Sequence, residues 1–128
     1  MPPLPTTFDV SMDRHRGALP RSYVKALVKH ESDFNPKATD PRSSARGLMA
    51  VIKIVRAEYN TRHRTGFTAD DLFDPETNLR IGLWQLKRIA ASLKLHHPRS
   101  LAPAWASRDY VEVLTHGWNA GWSEKAGV

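Results

Sequence analysis

The chain has 128 residues and a mass of 14.4 kDa, a length that fits one domain of ordinary size. Hydrophobic residues make up 41% of it, which excludes wholesale disorder, and no apolar run approaches the roughly 18 residues of a membrane span. Cysteine is absent, so disulfides, thiolate metal sites and a cysteine nucleophile are excluded. The net charge of +6 and the pI near 10.0 favour an anionic partner: nucleic acid, anionic lipid or bacterial cell wall.

The amino-terminal segment, residues 1–19, is rich in proline and polar residues and shows no sustained period. This composition predicts an arm or an irregular lead-in. The segment also lacks the basic start and the apolar stretch of a secretory signal, so no export signal is expected in this chain. The folded domain is therefore predicted over residues 20–128.

The first helix is predicted from Arg21 to about Asp33, where apolar side chains recur at three- and four-residue steps. A carboxylate interrupts this pattern, because Glu31 follows Val28 by three residues and Leu27 by four and so lies on or beside the apolar face. Burial raises the pKa of a carboxyl by disfavouring its charged form, which makes Glu31 a candidate general acid. The alternative is a boundary glutamate paired with Lys or Arg.

Three further helices are expected. One follows Gly47 and ends near Asn60, and the next has Asp74 as its N-cap and Pro75 at its first helical position. A last helix, beginning near residue 110, closes at Gly121. No repeat and no strand ladder is found in the sequence, so the predicted fold class is mainly α.

Four short segments carry further information in their order along the chain: residues 31–38 (ESDFNPKA), 47–49 (GLM), 72–79 (LFDPETNL) and 118–121 (WNAG). In this order they resemble the motifs of soluble lytic transglycosylases, which share a lysozyme-like fold with goose-type lysozymes. The resemblance covers about residues 20–121 and implies a mainly helical, lysozyme-like domain with a substrate cleft.

The resemblance also implies a reaction, cleavage of the β-1,4 bond between N-acetylmuramic acid and N-acetylglucosamine in peptidoglycan. In this family one glutamate acts first as acid and then as base, and the muramic 6-hydroxyl closes a 1,6-anhydro ring. The residue that matches the catalytic glutamate is Glu31.

The same resemblance suggests substrate contacts at Ser32, Met49, Trp118 and Asn119. Each has a structural alternative. Ser32 is equally explained as a helix-terminal serine that bonds backbone, and Asn119 as a helix cap. Met49 and Trp118 are equally explained as core residues. The residues of the third helix start are assigned to helix initiation and kept outside the site: Asp74, Pro75 and Asn78.

The sequence departs from the family pattern at three places. Ala50 stands where the family has Gln, and Trp118 stands where it has Tyr. The chain also ends seven residues after Gly121, where family domains usually continue, so either the fold is shortened at its carboxyl end or the chain was cut. The replacements at Ala50 and Trp118 predict a difference in substrate grip or rate.

Several functions compete for this sequence. Ordinary glycosidases use two carboxylates, so a single well-placed glutamate fits an intramolecular nucleophile better. Asp33 and Asp40 are the other carboxylates close in sequence, and they leave open a goose-type muramidase that hydrolyses the same bond. A second alternative is a noncatalytic wall-binding module of the same fold, and the presence of Glu31 argues against it. A basic nucleic-acid-binding protein is opposed by the lack of a recognition helix rich in Arg and Asn.

Partners and cofactors follow from the remaining residues. The six histidines are not spaced as a metal site, and no glycine-rich phosphate loop or nucleophile-elbow serine is present, so no metal and no cofactor is expected. The expected partner is the glycan strand of peptidoglycan, with no nucleic acid and no membrane span, and the oligomeric state is left open. Without an export signal a virion-associated or phage lysis protein fits best.

Overall fold

A computed structural model of the chain describes residues 3–96 together with Thr115 and Trp118. The chain divides into two compact units, residues 1–84 and residues 85–128. The helices are α1 (Asp9–His15), α2 (Arg21–Ser32), α3 (Lys53–His63), a short 3-10 helix (Asp70–Phe73) and α4 (Pro75–His96). Within the described residues the pairings outside helices and turns are two isolated β-bridges, so the prediction of a mainly α fold is confirmed.

Helix α2 forms where the apolar period predicts it. Its buried stripe consists of Val24 and Val28, which have no exposed surface, and Leu27, which is 4% exposed. Leu27 and Val28 follow Val24 by three and four residues, so the three side chains share the helix face that packs in the core. The prediction of the first helix is confirmed to within one residue at its carboxyl end.

The end of α2 has an unusual backbone. Asp33 and Phe34 are both left-handed, with φ of 52° and 61°, and the Asp33 N–H closes the helix by donating to the Lys29 carbonyl at 3.0 Å. Left-handed residues other than glycine cost conformational energy, and two in succession persist only where other contacts hold them. Phe34 is held because its side chain is buried in the core.

The residues that follow Gly47 do not start a helix, and that prediction is wrong. Gly47–Ala50 form a four-residue loop, the 47–50 loop, closed by Arg46 and Val51, each of which donates its N–H to the other's carbonyl at 3.1 Å. Gly47 and Ala50 have φ of 78° and 50°, which no α-helix contains. Helix α3 begins only at Lys53, because the preceding apolar residues are buried by the folding of the loop.

Helix α4 begins as predicted. Asp74 Oδ2 accepts the Thr77 N–H at 3.0 Å, and Pro75 is the first helical residue. A Cβ placed on Gly82 would lie 2.5 Å from the sulfur of Met49, so the 47–50 loop packs directly on the backbone of α4. The buried residues of this helix are Asn78, Leu79, Ile81, Gly82, Leu83, Gln85, Leu86 and Ile89.

The amino-terminal segment contains a helix that its sequence did not predict. Within residues 1–19, α1 forms and buries Met12 completely, so the expectation of an irregular segment is wrong for Asp9–His15. Ion pairs join α1 to α2, with Asp9 Oδ1 2.9 Å from Lys25 Nζ and Asp13 bonded to Arg21. Hydrogen bonds from Arg21 and Arg16 hold the pKa of Asp13 well below its ordinary value. Because α1 has only seven residues and buries a single side chain, its sequence shows no apolar period from which a helix could be predicted.

A second contact joins α1 to the start of α4. Arg14 and His15, in the last turn of α1, each place a nitrogen 2.8 Å from Oε1 of Glu76 in the first turn of α4. Hydrogen bonds from Ser11, Arg14 and His15 lower the pKa of Glu76 to about 2. The carboxylate thus ties α1 to the positive end of the α4 dipole.

This contact makes a prediction about pH and stability. Glu76→Gln should lower Tm at neutral pH, because glutamine keeps the shape of the side chain and loses its charge. The pKa of Glu76 is depressed from 4.5 to about 2 by folding, so its contribution is complete above pH 4.5 and is lost as the pH falls toward 2. Circular dichroism should show a Tm difference from the wild type that is constant at neutral pH and closes over this range. A Tm difference that persists at pH 2 would show that the substitution destabilises the fold through its packing and not through its charge.

Of the last predicted helix, Thr115 and Trp118 are helical, and its other residues lie outside the part of the chain that the structure describes. Across residues 3–96, no helix has the length and apolar character needed to cross a membrane.

Candidate active site

Glu31 lies in the last turn of α2 and is half-buried. Its helical position places it next to the buried stripe, three residues after Val28 and four after Leu27, as the sequence predicts. Directly after this turn come the two left-handed residues Asp33 and Phe34, and such backbone is characteristic of functional sites. Glu31 therefore lies at the edge of the core, directly before this left-handed turn.

Ser32 shares this turn with Glu31. Its hydroxyl donates to the Val28 carbonyl at 3.1 Å, four residues back in the same helix, and the residue is half-buried. This bond favours the structural alternative for Ser32, a helix-terminal serine that satisfies the backbone.

The two other carboxylates near Glu31 in sequence are engaged elsewhere. The Asp33 side chain is 74% exposed and pairs with Lys29 on the surface of α2. Asp40 is exposed and accepts the backbone N–H of Arg42 at 2.9 Å, which closes a turn.

Met49 is completely buried, with its side chain against Gly82 of α4. This placement favours the core alternative over a thioether that lines an open cleft. Trp118 is helical and half-buried. Asn119 lies outside the described residues. The substrate contacts suggested for these three residues stay predictions.

The segment after Glu31 and the 47–50 loop are held side by side. The Gly47 N–H donates to the Ala38 carbonyl at 2.9 Å, and Thr39 forms a β-bridge with Arg46. The first two motifs are thus joined by backbone hydrogen bonds within one unit.

Asn78 links the third motif to the second, and sequence reasoning placed it outside the site. Its side chain is completely buried and bonds the backbone of Met49 and of Arg46. The signal that could have found it is the one that singled out Glu31. Asn78 is a polar residue on an apolar helix face, because Ile81 and Gly82, three and four residues later, flank it around the helix and are buried.

A metal site is not indicated by the described residues. Over residues 3–96, Thr115 and Trp118, no group of three or more His, Asp or Glu side chains could hold an ion.

Comparison with protein families decides the class of this site. Residues 10–106 match the family described as Transglycosylase SLT domain. The chain belongs to the transglycosylase SLT domain family. The match covers the first three motifs of the SLT domain and ends before Trp118 and Asn119. It begins within α1, earlier than the resemblance of residues 20–121, and it confirms the predicted family and enzyme class.

A solved structure has the same fold as the SLT domain. It is the crystal structure of the 70 kDa soluble lytic transglycosylase of Escherichia coli, with a TM-score of 0.65 and 23% sequence identity. The similarity covers 97% of this chain and 21% of the other, so the SLT domain spans about a fifth of the length of that protein. This likeness confirms the predicted fold. No curated protein sequence matches the chain.

Proposed function

We propose that this SLT domain cleaves the β-1,4 bond between N-acetylmuramic acid and N-acetylglucosamine in peptidoglycan, with Glu31 as its single acid and base. The observation that carries the proposal is the place of Glu31. It is half-buried in the last turn of α2, beside the apolar stripe, in a chain of the SLT family. A half-buried carboxyl at a helix end can exchange a proton with a bound sugar.

The proposed reaction proceeds in two proton transfers. The protonated Glu31 carboxyl gives its proton to the glycosidic oxygen, and the bond from that oxygen to C1 of the muramic residue breaks. The resulting carboxylate then takes the proton of the 6-hydroxyl, whose oxygen attacks C1. The products are a free N-acetylglucosamine 4-hydroxyl and a 1,6-anhydromuramic end. Glu31 finishes protonated, ready for another cycle.

The surroundings of the other carboxylates support a mechanism with one glutamate. A two-carboxylate glycosidase needs a second carboxyl across the scissile bond, at a separation set by the stereochemical outcome. Asp33 faces solvent and pairs with Lys29, and Asp40 closes a backbone turn. These contacts hold both side chains on the surface, which supports the substrate's own hydroxyl as the nucleophile.

The proposed site of action is the bacterial cell wall, with the glycan strand as partner. The net charge of +6 would draw the domain to the acidic groups of that polymer. Association with a phage particle or lysis system is a proposal that rests on the sequence alone.

Mass spectrometry of the fragments tests the reaction. Purified peptidoglycan incubated with the protein should yield muramic ends that are about 18 Da lighter than reducing ends, because no water enters the product. Reducing ends would instead assign the chain to the hydrolysing muramidases.

Two variants serve as controls for this measurement. Asp33→Asn and Asp40→Asn should leave the rate within a few-fold of wild type and the product unchanged, because their side chains are engaged away from the reaction. Loss of activity in either, together with reducing ends, would reveal a second catalytic carboxylate.

A further inference from the structure

The side chain of Asn78 uses both ends of its amide inside the core. Oδ1 accepts the Met49 N–H at 2.8 Å, and Nδ2 donates to the carbonyls of Arg46 and Leu72 at 2.8 and 3.0 Å. Asn78 has no exposed surface. A single side chain of α4 therefore holds the residue before the 47–50 loop and a residue within it.

The contact between Asn78 and this loop leaves no free space. A Cβ on Gly47 would lie 2.3 Å from Asn78 Nδ2 and equally close to the Leu72 carbonyl oxygen. The loop backbone thus rests directly on the amide, and a shift of the amide must shift the loop. In a close-packed interior such a shift is transmitted rather than absorbed.

The position of the loop bears on the position of Glu31. Gly47 donates to Ala38 at 2.9 Å and Arg46 pairs with Thr39, both in the segment that leaves the carboxyl end of α2. Glu31 lies in the last turn of that helix. A continuous set of hydrogen bonds therefore runs from Asn78 through the loop to the segment that follows the end of α2.

We propose that Asn78 is a positioning residue for the transglycosylase reaction. It sets the 47–50 loop against the segment after α2 and so orients Glu31 without touching the substrate. This inference rests on the proposed function of Glu31. Catalytic geometry is sensitive to such support, since a misplacement of about 1 Å can cost on the order of 10²-fold in rate.

Asn78→Asp is the informative variant, because aspartate has the shape of asparagine but donates only when protonated. Ionised, it places a carboxylate against the Arg46 and Leu72 carbonyls, and kcat should fall by roughly 10- to 100-fold, with a smaller change in KM. Protonated, it accepts the Met49 N–H with one oxygen and donates with the other. Its kcat relative to wild type at the same pH should therefore recover as the pH is lowered.

The charged groups around this position are engaged elsewhere. The Arg46 guanidinium lies 5.5 Å from the centre of the Phe73 ring, and the Asp74 carboxylate accepts from Thr77. Each rate is divided by the wild-type rate at the same pH, and Asn78→Ala, treated in the same way, shows any pH dependence that does not come from residue 78. The recovery then reports the protonation of residue 78.

Asn78→Ala is the matched variant, since alanine removes the hydrogen bonds and cannot titrate. Its relative kcat should be low and independent of pH. Asp74→Ala is the control for helix initiation, because it removes the N-cap bond to Thr77 on the same helix end and should lower Tm while leaving kcat unchanged.

All rates are measured on short peptidoglycan strands at a temperature where circular dichroism shows each variant to be folded. Wild-type kcat in the folded Asn78 variants would overturn the proposal, and so would a loss in Asn78→Asp that stays constant with pH. If Asn78→Ala does not fold, the pH series of Asn78→Asp decides alone. An inactive wild type would instead reject the proposed function.

Discussion

Glu31→Gln should reduce the rate of peptidoglycan cleavage by roughly 10²–10⁴-fold or more, which is the contribution typical of general acid and base catalysis. Glutamine has nearly the same shape as glutamate and keeps its hydrogen-bonding capacity, but it cannot give a proton to the leaving oxygen or take one from the 6-hydroxyl. Clearing of turbid peptidoglycan gives the rates. Sedimentation with purified cell wall should show that binding persists.

The matched control is Glu58→Gln, the same change at another half-buried helical glutamate. Glu58 lies on α3, with an oxygen 3.5 Å from Arg62, and the proposed mechanism gives it no role. Its variant should cleave at the wild-type rate. If Glu31→Gln cleaved as fast as Glu58→Gln, Glu31 would not be the catalytic acid.

Gly47→Ala should produce the largest loss of stability, about 2–4 kcal/mol in the free energy of unfolding. Two effects act together. The backbone at Gly47 has φ of 78°, which an alanine adopts only with strain, and the new Cβ would lie 2.3 Å from both Asn78 Nδ2 and the Leu72 carbonyl oxygen. Thermal unfolding followed by circular dichroism should show Tm lowered by roughly 10 °C or more.

Gly66→Ala provides the comparison. A Cβ at Gly66 meets nothing within 4 Å, and this glycine is not in the left-handed region. The substitution should be neutral or slightly stabilising, because alanine restricts the unfolded chain. Equal Tm values for the two variants would mean that the 47–50 loop is not closely packed on Asn78 and Leu72.

The helices that sequence predicted correctly depend on local signals. The apolar stripe of α2 lies within twelve residues, and α4 starts with Asp74 and Pro75, a cap and a first-turn proline that act on their own neighbours. The 47–50 loop depends instead on Asn78, which bonds Met49 and Arg46 from 29 and 32 residues away. The apolar residues after Gly47 fit both the period of a helix and the burial of a loop, so the sequence alone could not distinguish the two structures.

The candidate site was predicted in part for a related reason. Glu31 could be found because a carboxylate is unexpected on the apolar face of a helix. Asn78 is equally unexpected on an apolar face, but its position near the start of a helix was explained by helix initiation. For Ser32 and Met49 the sequence could not distinguish a substrate contact from a structural role, because a hydroxyl or a thioether can serve in either. Their hydrogen bonds and burial favour structure.

The way α1 is attached has a consequence for the motions of the native protein. Within this helix only Met12 is buried, and most of its other attachments are ion pairs. Arg14–Glu76 and Arg21–Asp13 have side chains 27–57% exposed, and Asp9–Lys25 has side chains 20% and 12% exposed. Partly exposed pairs contribute about 0–1 kcal/mol each, whereas α4 buries a continuous face. We therefore expect α1 to open locally more readily than α2 and α4. A pull on the chain ahead of Asp9 would release this segment before it reached the backbone that carries Glu31.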